Sequence, residues 1–208
     1  MINSENEFFV IEYSPNDEGI PYFMDQEWVP ELPNYDLFTA PPLPEDFSDN
    51  YAVKIKAYKL DGDYFSNDNL ISSDMLILLS ELKVKCISIP VKVRLYKNKT
   101  PSKEYYLFYI LSYLSIMDES KSIFTISKDI ETGEFNTPDE KNLEKIYYER
   151  IDKFKIRDDI HEHLFICNEI SKPVCSSLFK NKFESLKLCG VKFEKIDDNY
   201  KYDVWEGW

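Results

Sequence analysis

Glycine, histidine and cysteine are all scarce in this sequence. Its 208 residues include five glycines, two histidines and four cysteines. Neither of the glycine-rich phosphate-binding motifs occurs, so a nucleotide-cradling loop is not expected. The cysteines lack the Cys-x-x-Cys spacing of zinc sites and redox motifs, and we interpret them as buried, reduced thiols. They are Cys86, Cys167, Cys175 and Cys189.

Long apolar runs are also missing. The most apolar stretch, residues 105–117, has 13 residues and includes two serines. It is too short for a transmembrane helix and favours a buried strand. Residues 1–7 have neither the basic region nor the apolar core of a signal peptide. We therefore expect a cytoplasmic protein that does not associate with a membrane.

Basic residues are absent from the first fifty positions, which contain twelve Asp and Glu residues. Residues 51–208 contain 26 acidic and 25 basic residues, so the net charge of −13 arises almost entirely from one segment. Because nucleic-acid binding needs a basic surface, this distribution argues against a nucleic-acid partner. It favours a protein partner that is itself basic.

Proline and aromatic residues are concentrated in the same acidic segment. Six prolines lie between Pro21 and Pro44 and exclude a regular helix over most of this stretch. Aromatic residues are interleaved with them, unlike in a solvated linker. These are Tyr22, Phe23, Trp28, Tyr35 and Phe38. We predict that residues 1–50 form an extended arm packed on the rest of the chain, with its rings docked and its carboxylates outward, either as a purely structural wrap or as a binding surface.

One stretch occurs twice, at residues 70–89 and 174–193, and the copies align without a gap at an offset of 104 residues. Each has a pair of serines, then apolar residues at helical spacing, then an alternating strand pattern. Ser72 and Ser176 are therefore predicted to be N-caps of two helices. Gly190 suits a tight or left-handed turn before the second strand. A chance likeness between two helix–turn–strand segments is the alternative.

Other patterns predict further strands. The run from Phe8 to Ile11 indicates a first strand, the alternation from Val53 to Leu60 a half-buried one, and residues 104–117 a long central strand. Residues 139–150 fit either a helix capped by Thr137 or a strand. The C-terminal Trp205 and Trp208 are either docked on the domain or offered to a partner.

These elements together predict the fold class and the domains. We expect an α+β fold, with a mixed or antiparallel sheet on which two equivalent helix-strand units pack. Residues 51–208 would form this domain, and a division into sub-lobes 51–130 and 131–208 is left open.

The order of these segments resembles the Imm-eleven immunity-protein family of bacterial polymorphic toxin systems. The resemblance covers roughly residues 45–197 and is most specific in two places. The first is the apolar strand from Tyr105 that ends in a polar corner at Asp118, Ser120 and Ser122. The second is the region 164–193, where Leu164-Phe165, Ser176, Leu186 and Gly190 to Phe193 match the family pattern.

The resemblance implies a protein that binds and neutralises a cognate toxin inside the cell that produces both. It implies no catalytic residues and no cofactor, and a non-enzymatic role is expected. A tight inhibitor needs aromatic anchors and complementary charge at its surface. The acidic arm has aromatic residues and a high density of negative charge. The resemblance does not imply a role for this arm. We expect the toxin to contact the arm through Asp25, Glu27, Trp28, Glu31, Tyr35, Asp36, Glu45 and Asp46.

Two other functions are open at this stage. An acidic adaptor for a basic partner would carry the same arm. A metal-dependent hydrolase would use His161 and His163, because residues two apart on a strand face one side and could bind one metal ion. Oligomeric state and the activity of the toxin do not follow from the sequence.

Overall fold

The structure is a computed structural model that describes residues 7–16, 18–35 and 40–206. These ranges contain fourteen strands and three α-helices. The strands are β1 Phe8–Tyr13, β2 Gln26–Val29, β3 Tyr51–Ile55, β4 Tyr64–Phe65, β5 Leu70–Ser72, β6 Cys86–Arg94, β7 Tyr105–Ile110, β8 Tyr113–Leu114, β9 Ile123–Ile126, β10 Tyr148–Lys153, β11 Leu164–Cys167, β12 Lys172–Ser176, β13 Val191–Lys195 and β14 Tyr202–Asp203. The helices are α1 Ser73–Glu81, α2 Pro138–Lys141 and α3 Ser177–Ser185.

The strands form three sheets. A six-stranded sheet has the order β2-β3-β6-β7-β5-β4, a five-stranded sheet the order β13-β1-β12-β11-β8, and a three-stranded sheet the order β14-β10-β9. The β3–β6 and β8–β11 pairs are parallel and the other pairs are antiparallel. The fold is therefore α+β with mixed sheets and little helix, as the sequence predicted at this level.

The apolar run from Phe8 to Ile11 forms most of strand β1. Phe8 and Val10 pack in one hydrophobic cluster, whereas Phe9 and Ile11 pack in a second cluster on the opposite face of the strand. The strand lies between β12 and β13, and side chains on both of its faces are buried. A continuous apolar run is what a strand covered on both faces requires.

Helices α1 and α3 begin at the predicted serines. The hydroxyl of Ser72 accepts a hydrogen bond from the amide of Met75 at 3.2 Å, and that of Ser176 accepts one from Phe179 at 3.3 Å. Each satisfies an amide that the helix itself leaves unpaired. The apolar sides of both helices pack in the cluster that includes Phe9 and Ile11. The predicted N-caps are therefore confirmed.

Gly190 lies where two distant chain segments approach closely. Its φ is +118°, and a Cβ there would lie 2.3 Å from the backbone oxygen of Tyr64. The backbone amide of Tyr64 also donates to the carbonyl of Cys189 at 3.1 Å. Only a residue without a side chain allows this approach, so the predicted turn at Gly190 is confirmed.

The predicted long strand over residues 104–117 is wrong. Strand β7 ends at Ile110, which pairs with Cys86, the first residue of β6, and only one further hydrogen bond, from the amide of Leu111 to the carbonyl of Lys85 at 3.0 Å, is found beyond that pair in the described residues. The carbonyl of Ser112 then accepts a hydrogen bond from Ile166 at 2.8 Å, and β8 continues in the five-stranded sheet. The apolar run is thus shared between two sheets.

The predicted strand 53–60 is wrong beyond Ile55, where β3 ends, although the amide of Lys56 still donates to the carbonyl of Asp25 at 3.1 Å. Residues 139–150 contain both alternatives in succession. Thr137 accepts from the amide of Glu140 at 3.3 Å and caps α2, and β10 starts at Tyr148.

The chain end is held by its backbone, and its tryptophan is exposed. The amide of Val204 donates to the carbonyl of Glu149 at 3.0 Å, while the Trp205 side chain is 61% exposed. Trp208 lies outside the described residues. Within those residues, no helix is both long and apolar enough to cross a bilayer.

Candidate partner-binding surface

Two of the predicted acidic contact residues, Asp25 and Glu27, lie in or directly before strand β2. The Glu27 carboxylate lies 3.0 Å from the Lys54 ammonium, directly opposite on β3. Asp25, just before the strand, pairs with Lys56 at 2.6 Å. All four side chains are about half exposed, so each pair contributes little to stability. Their charges are nevertheless cancelled locally, which leaves little net charge on this strand pair.

Trp28 points toward the protein rather than away from it. Its ring packs edge-on against Tyr51, with centroids 6.0 Å apart and an interplanar angle of 82°. The indole NH donates to the side-chain oxygen of Gln26 at 2.7 Å. Trp28 is partly buried against the hydrophobic cluster of the six-stranded sheet. Only part of the ring is therefore available to a partner.

Tyr35 belongs to an aromatic cluster with Phe47 and Tyr109. Its ring lies 5.3 Å from that of Phe47 and 6.1 Å from that of Tyr109. Its hydroxyl is buried, with no hydrogen-bond partner among the described residues. Burial, together with the nearby charge of Asp46, raises the pKa of Tyr35. The arm is thus fixed to the sheet at this ring.

Four exposed carboxylates between residues 31 and 49 are unpaired in the described structure. Glu45 and Asp46 lie in the short turn Pro44–Asp46, and both are exposed. Glu31 and Asp49 are exposed as well. None of the four carboxylates forms an ion pair with any residue in the described ranges. Asp36 lies outside those ranges.

The histidine pair lies by a small cavity near the start of α3. His161 and His163 both line this cavity of about 230 Å³. Nδ1 of His163 is 2.9 Å from the hydroxyl of Ser176, the N-cap of α3. Across residues 7–16, 18–35 and 40–206, no three His, Cys, Asp or Glu side chains are arranged to hold a metal ion. The observed contact of His163 is with the helix cap.

The polar corner after β8 is closed by its own side chains. The carboxylate of Asp118 accepts from the amide and the hydroxyl of Ser120, at 3.1 and 2.6 Å, and pairs with Lys121 at 2.7 Å. These contacts lower the pKa of Asp118. The Ser122 hydroxyl accepts from the amide of Lys155 at 3.0 Å. The corner joins the start of β9 to the chain that follows β10.

The four cysteines are free thiols. Cys167 and Cys175 are buried, whereas Cys86 and Cys189 are half-buried. Burial raises the pKa of all four and brings that of Cys86 to about 11. Because the thiolate is the reactive form, these thiols are poor nucleophiles at neutral pH.

The prediction that the rings of the arm are docked is wrong for Tyr22 and Phe23, which are 72% and 82% exposed. Sequence reasoning also missed two exposed aromatic residues, Tyr58 and Tyr96. Their rings are in contact, with centroids 4.8 Å apart. A signal for Tyr58 was present, because alternation places it on the same side as the solvent-facing Lys54 and Lys56. Tyr96 follows the end of β6, and no pattern in its neighbourhood indicated a surface role.

The described chain is an α+β protein of mixed sheets, with a polar, partly unpaired surface along the β2 side of the larger sheet. The model of the immunity protein family (Imm11) matches residues 16–198, and the chain belongs to that family. The resemblance inferred from the polar corner and the second repeat is thereby confirmed. No curated protein matches this sequence.

Proposed function

We propose that this protein binds a cognate bacterial polymorphic toxin by direct protein–protein contact and neutralises it in the cytoplasm of the cell that makes both. The observation that carries the proposal is the family match over residues 16–198, because immunity is the function that the family name states. An immunity protein of this kind acts by occupying a surface of its toxin rather than by catalysis, and it needs no cofactor.

The acidic surface of the arm supports a basic partner. Glu31, Glu45 and Asp46 are exposed and unpaired within the described residues, so their field extends into solvent. Complementary charge accelerates encounter and fixes the orientation of the partner. Asp25 and Glu27 belong to the same surface. They can contribute to binding once Lys56 and Lys54 no longer pair with them. Either Trp28 or Tyr35 would provide an anchoring aromatic ring at this surface, and Asp36 directly follows Tyr35 in the sequence.

We also propose that two parts of the chain have different roles. The helix-strand units around α1 and α3 are taken as equivalent scaffold elements. Their caps have nearly the same backbone angles, with φ/ψ of −77/166° at Ser72 and −77/162° at Ser176. Lys83 and Lys187, just after the helices, are both left-handed, at φ 53° and 56°. In this scheme residues 51–208 act as the immunity-type domain, to which β1 contributes an inner strand, and the rest of residues 1–50 acts as the acidic contact arm.

Co-expression tests the proposal. The toxin domain encoded beside this chain is produced in a sensitive bacterium with and without this protein, and the two proteins are then co-purified. We expect restored growth and a stable complex. Continued growth arrest with no complex would overturn the immunity proposal and would favour an acidic adaptor for another basic protein.

Association kinetics then test the acidic surface. We expect charge reversal at three arm positions, Glu31→Lys, Glu45→Lys and Asp46→Lys, to slow association about tenfold at low salt and to weaken its salt dependence. The matched control reverses Glu131, Glu134 and Asp139, which are equally exposed on another part of the chain. Equal rates for the two triple variants would place the contact away from the arm.

A further inference from the structure

Four exposed aromatic side chains lie on neighbouring chain segments at one end of the six-stranded sheet, and we call this group the aromatic corner. It consists of Tyr22, Phe23, Tyr58 and Tyr96, which are 72%, 82%, 66% and 44% exposed. Single exposed apolar residues are ordinary, but a group of large rings is not. The corner is distinct from Trp28 and Tyr35, whose rings pack inward.

Backbone hydrogen bonds bring the parts of the corner together. The amide of Lys56 donates to the carbonyl of Asp25 at 3.1 Å, and that of Asp61 donates to Gly19 at 2.9 Å. These bonds hold residues 19–25 beside residues 56–61, with Tyr22 and Phe23 in the first segment and Tyr58 in the second. The corner is therefore tied to the sheet at both ends and is preorganised for binding.

Tyr96 joins the corner from the end of β6. Its amide donates to the carbonyl of Ala57 at 2.9 Å, and its ring meets that of Tyr58 at an angle of 61°. An edge-on contact of this kind leaves the two rings with surface available to a third side chain.

The corner is large enough to anchor a protein interface. An aromatic side chain has about 150–250 Å² of surface, so the four exposed fractions leave roughly 400–650 Å² open to solvent. The largest apolar patch on a typical monomer is about 300–600 Å², and one side of a standard interface is about 800 Å². The corner would thus supply half or more of one side of such an interface.

Positive charge lies at the Tyr96 end of the corner, whereas the carboxylates of Asp25, Asp61 and Glu18 lie near its base. The Lys97 ammonium lies 5.8 Å from the centre of the Tyr96 ring, and the carbonyl of Lys99 accepts from Leu95 at 2.8 Å to close this turn. Lys97, Lys99 and the nearby Arg94 form no ion pair with a described residue.

We propose that the aromatic corner is the anchoring part of the toxin-binding surface and that it receives an acidic patch of the toxin. This inference rests on the proposed function and adds a second, oppositely charged contact to it. Strand β2 separates the corner from Glu31 by four paired residues, or about 14 Å at 3.4 Å per residue. One standard interface spans both ends, and opposite charges at the ends allow only one orientation of the partner.

A protein partner fits the corner better than a nucleic acid. The two lysines nearest its base, Lys56 and Lys59, are already paired with Asp25 and Asp61, at 2.6 and 2.5 Å. Nucleic-acid affinity depends on neutralising many phosphates, and a chain with a charge of −13 repels the rest of a polyanion. A short acidic patch on a protein needs only the three unpaired cations.

The test measures the affinity of the purified toxin domain for two variants. The first removes two anchors, Phe23→Ser with Tyr58→Ser, and the second reverses two charges, Lys97→Glu with Lys99→Glu. We expect the first to weaken binding at least about thirtyfold and the second about tenfold, with the second effect shrinking as salt is added. The matched control is Ile130→Ser, which removes a side chain that is 95% exposed elsewhere. Thermal unfolding of each variant checks that the fold is retained.

The outcomes separate this inference from the function on which it rests. If the wild type binds the toxin and both variants bind within twofold of it, the inference is overturned and the immunity proposal stands. If the wild type itself neither binds nor rescues growth, both are overturned. Binding of a fluorescent oligouridylate RNA that the two variants lose, with toxin affinity unchanged, would assign the corner to nucleic acid instead.

Discussion

The carboxylate of Asp63 accepts a hydrogen bond from the hydroxyl of Ser72 at 2.6 Å, and so holds the residue that caps α1. The same carboxylate pairs with Lys103 at 2.7 Å and accepts from the amide of Cys189 at 3.1 Å. Its side chain is only 2% exposed. One buried charge therefore joins the start of α1 to the chain that follows α3.

Asp63→Ala should lower the free energy of unfolding by about 3 kcal/mol, because it leaves several buried donors without an acceptor. Urea denaturation of the two proteins measures the difference. Asp61→Ala is the control, since Asp61 pairs with an exposed lysine and should cost less than about 1 kcal/mol. Equal losses from the two variants would contradict a special role for the buried carboxylate.

The cap serines should contribute measurably to stability. Ser72→Ala and Ser176→Ala should each lower the free energy of unfolding by about 1–2 kcal/mol, because each leaves a helix amide unpaired. Ser80→Ala, an exposed position within α1, should change it by less than about 0.5 kcal/mol. Denaturant unfolding measures the free energy of unfolding of the three variants. A cap variant that loses no more stability than Ser80→Ala would contradict a stabilising role for that cap.

Gly190→Ala should be among the most damaging single substitutions. The new Cβ would overlap the Tyr64 oxygen at a backbone angle that side chains rarely adopt, so a loss above about 3 kcal/mol is expected. Gly133→Ala is a matched control, because Gly133 also has a positive φ, of 74°, but no atom lies within 4 Å of its Cβ position. It should cost about 1 kcal/mol. Similar melting temperatures for the two variants would rule out the clash.

Asp68 should make stability depend on pH in the unusual direction for a carboxyl group. Burial raises its pKa to about 6, although a hydrogen bond from Gln26 opposes the shift. Since the folded state binds the proton more tightly than the unfolded chain, this stabilisation is present at low pH and is lost as the pH rises through about 6.

Asp68→Asn should therefore raise the melting temperature at pH 7 relative to the wild type, and the gain should shrink toward pH 4. Scanning calorimetry at several pH values measures both. Glu131→Gln, at an exposed carboxylate, corrects for the general loss of negative charge. A gain that is the same at both pH values would mean that Asp68 is not the titrating group.

Features that depend on neighbours in sequence were predictable. The cap of α1 needs only a hydroxyl three residues before an amide, so Ser72 could be assigned from its position in a helical pattern. The turn at Gly190 and the buried strand from Phe8 followed in the same way from glycine and from an apolar run. The family itself was recognisable from such local patterns in residues 105–122 and 164–193.

Features that depend on segments distant in the sequence could not be predicted. The apolar run 105–117 is continuous in sequence, yet its strands belong to two sheets because their partners, β6 and β11, lie in different ones. The predicted contact residues likewise differ in whether folding brings a basic partner to them. Glu27 met a lysine 27 positions away, whereas Glu45 met none in the described chain.

The sequence alone therefore determined the helix caps, the turn at Gly190, the acidity of the first fifty residues and the family, since each depends on residues that are close in the sequence. The tertiary structure decided which carboxylates are paired and which rings are exposed. It packed Tyr35 against Tyr109 and left Phe23 exposed to solvent. The physical reason is that the charge and the surface of a side chain are cancelled or covered only by groups that folding brings to it.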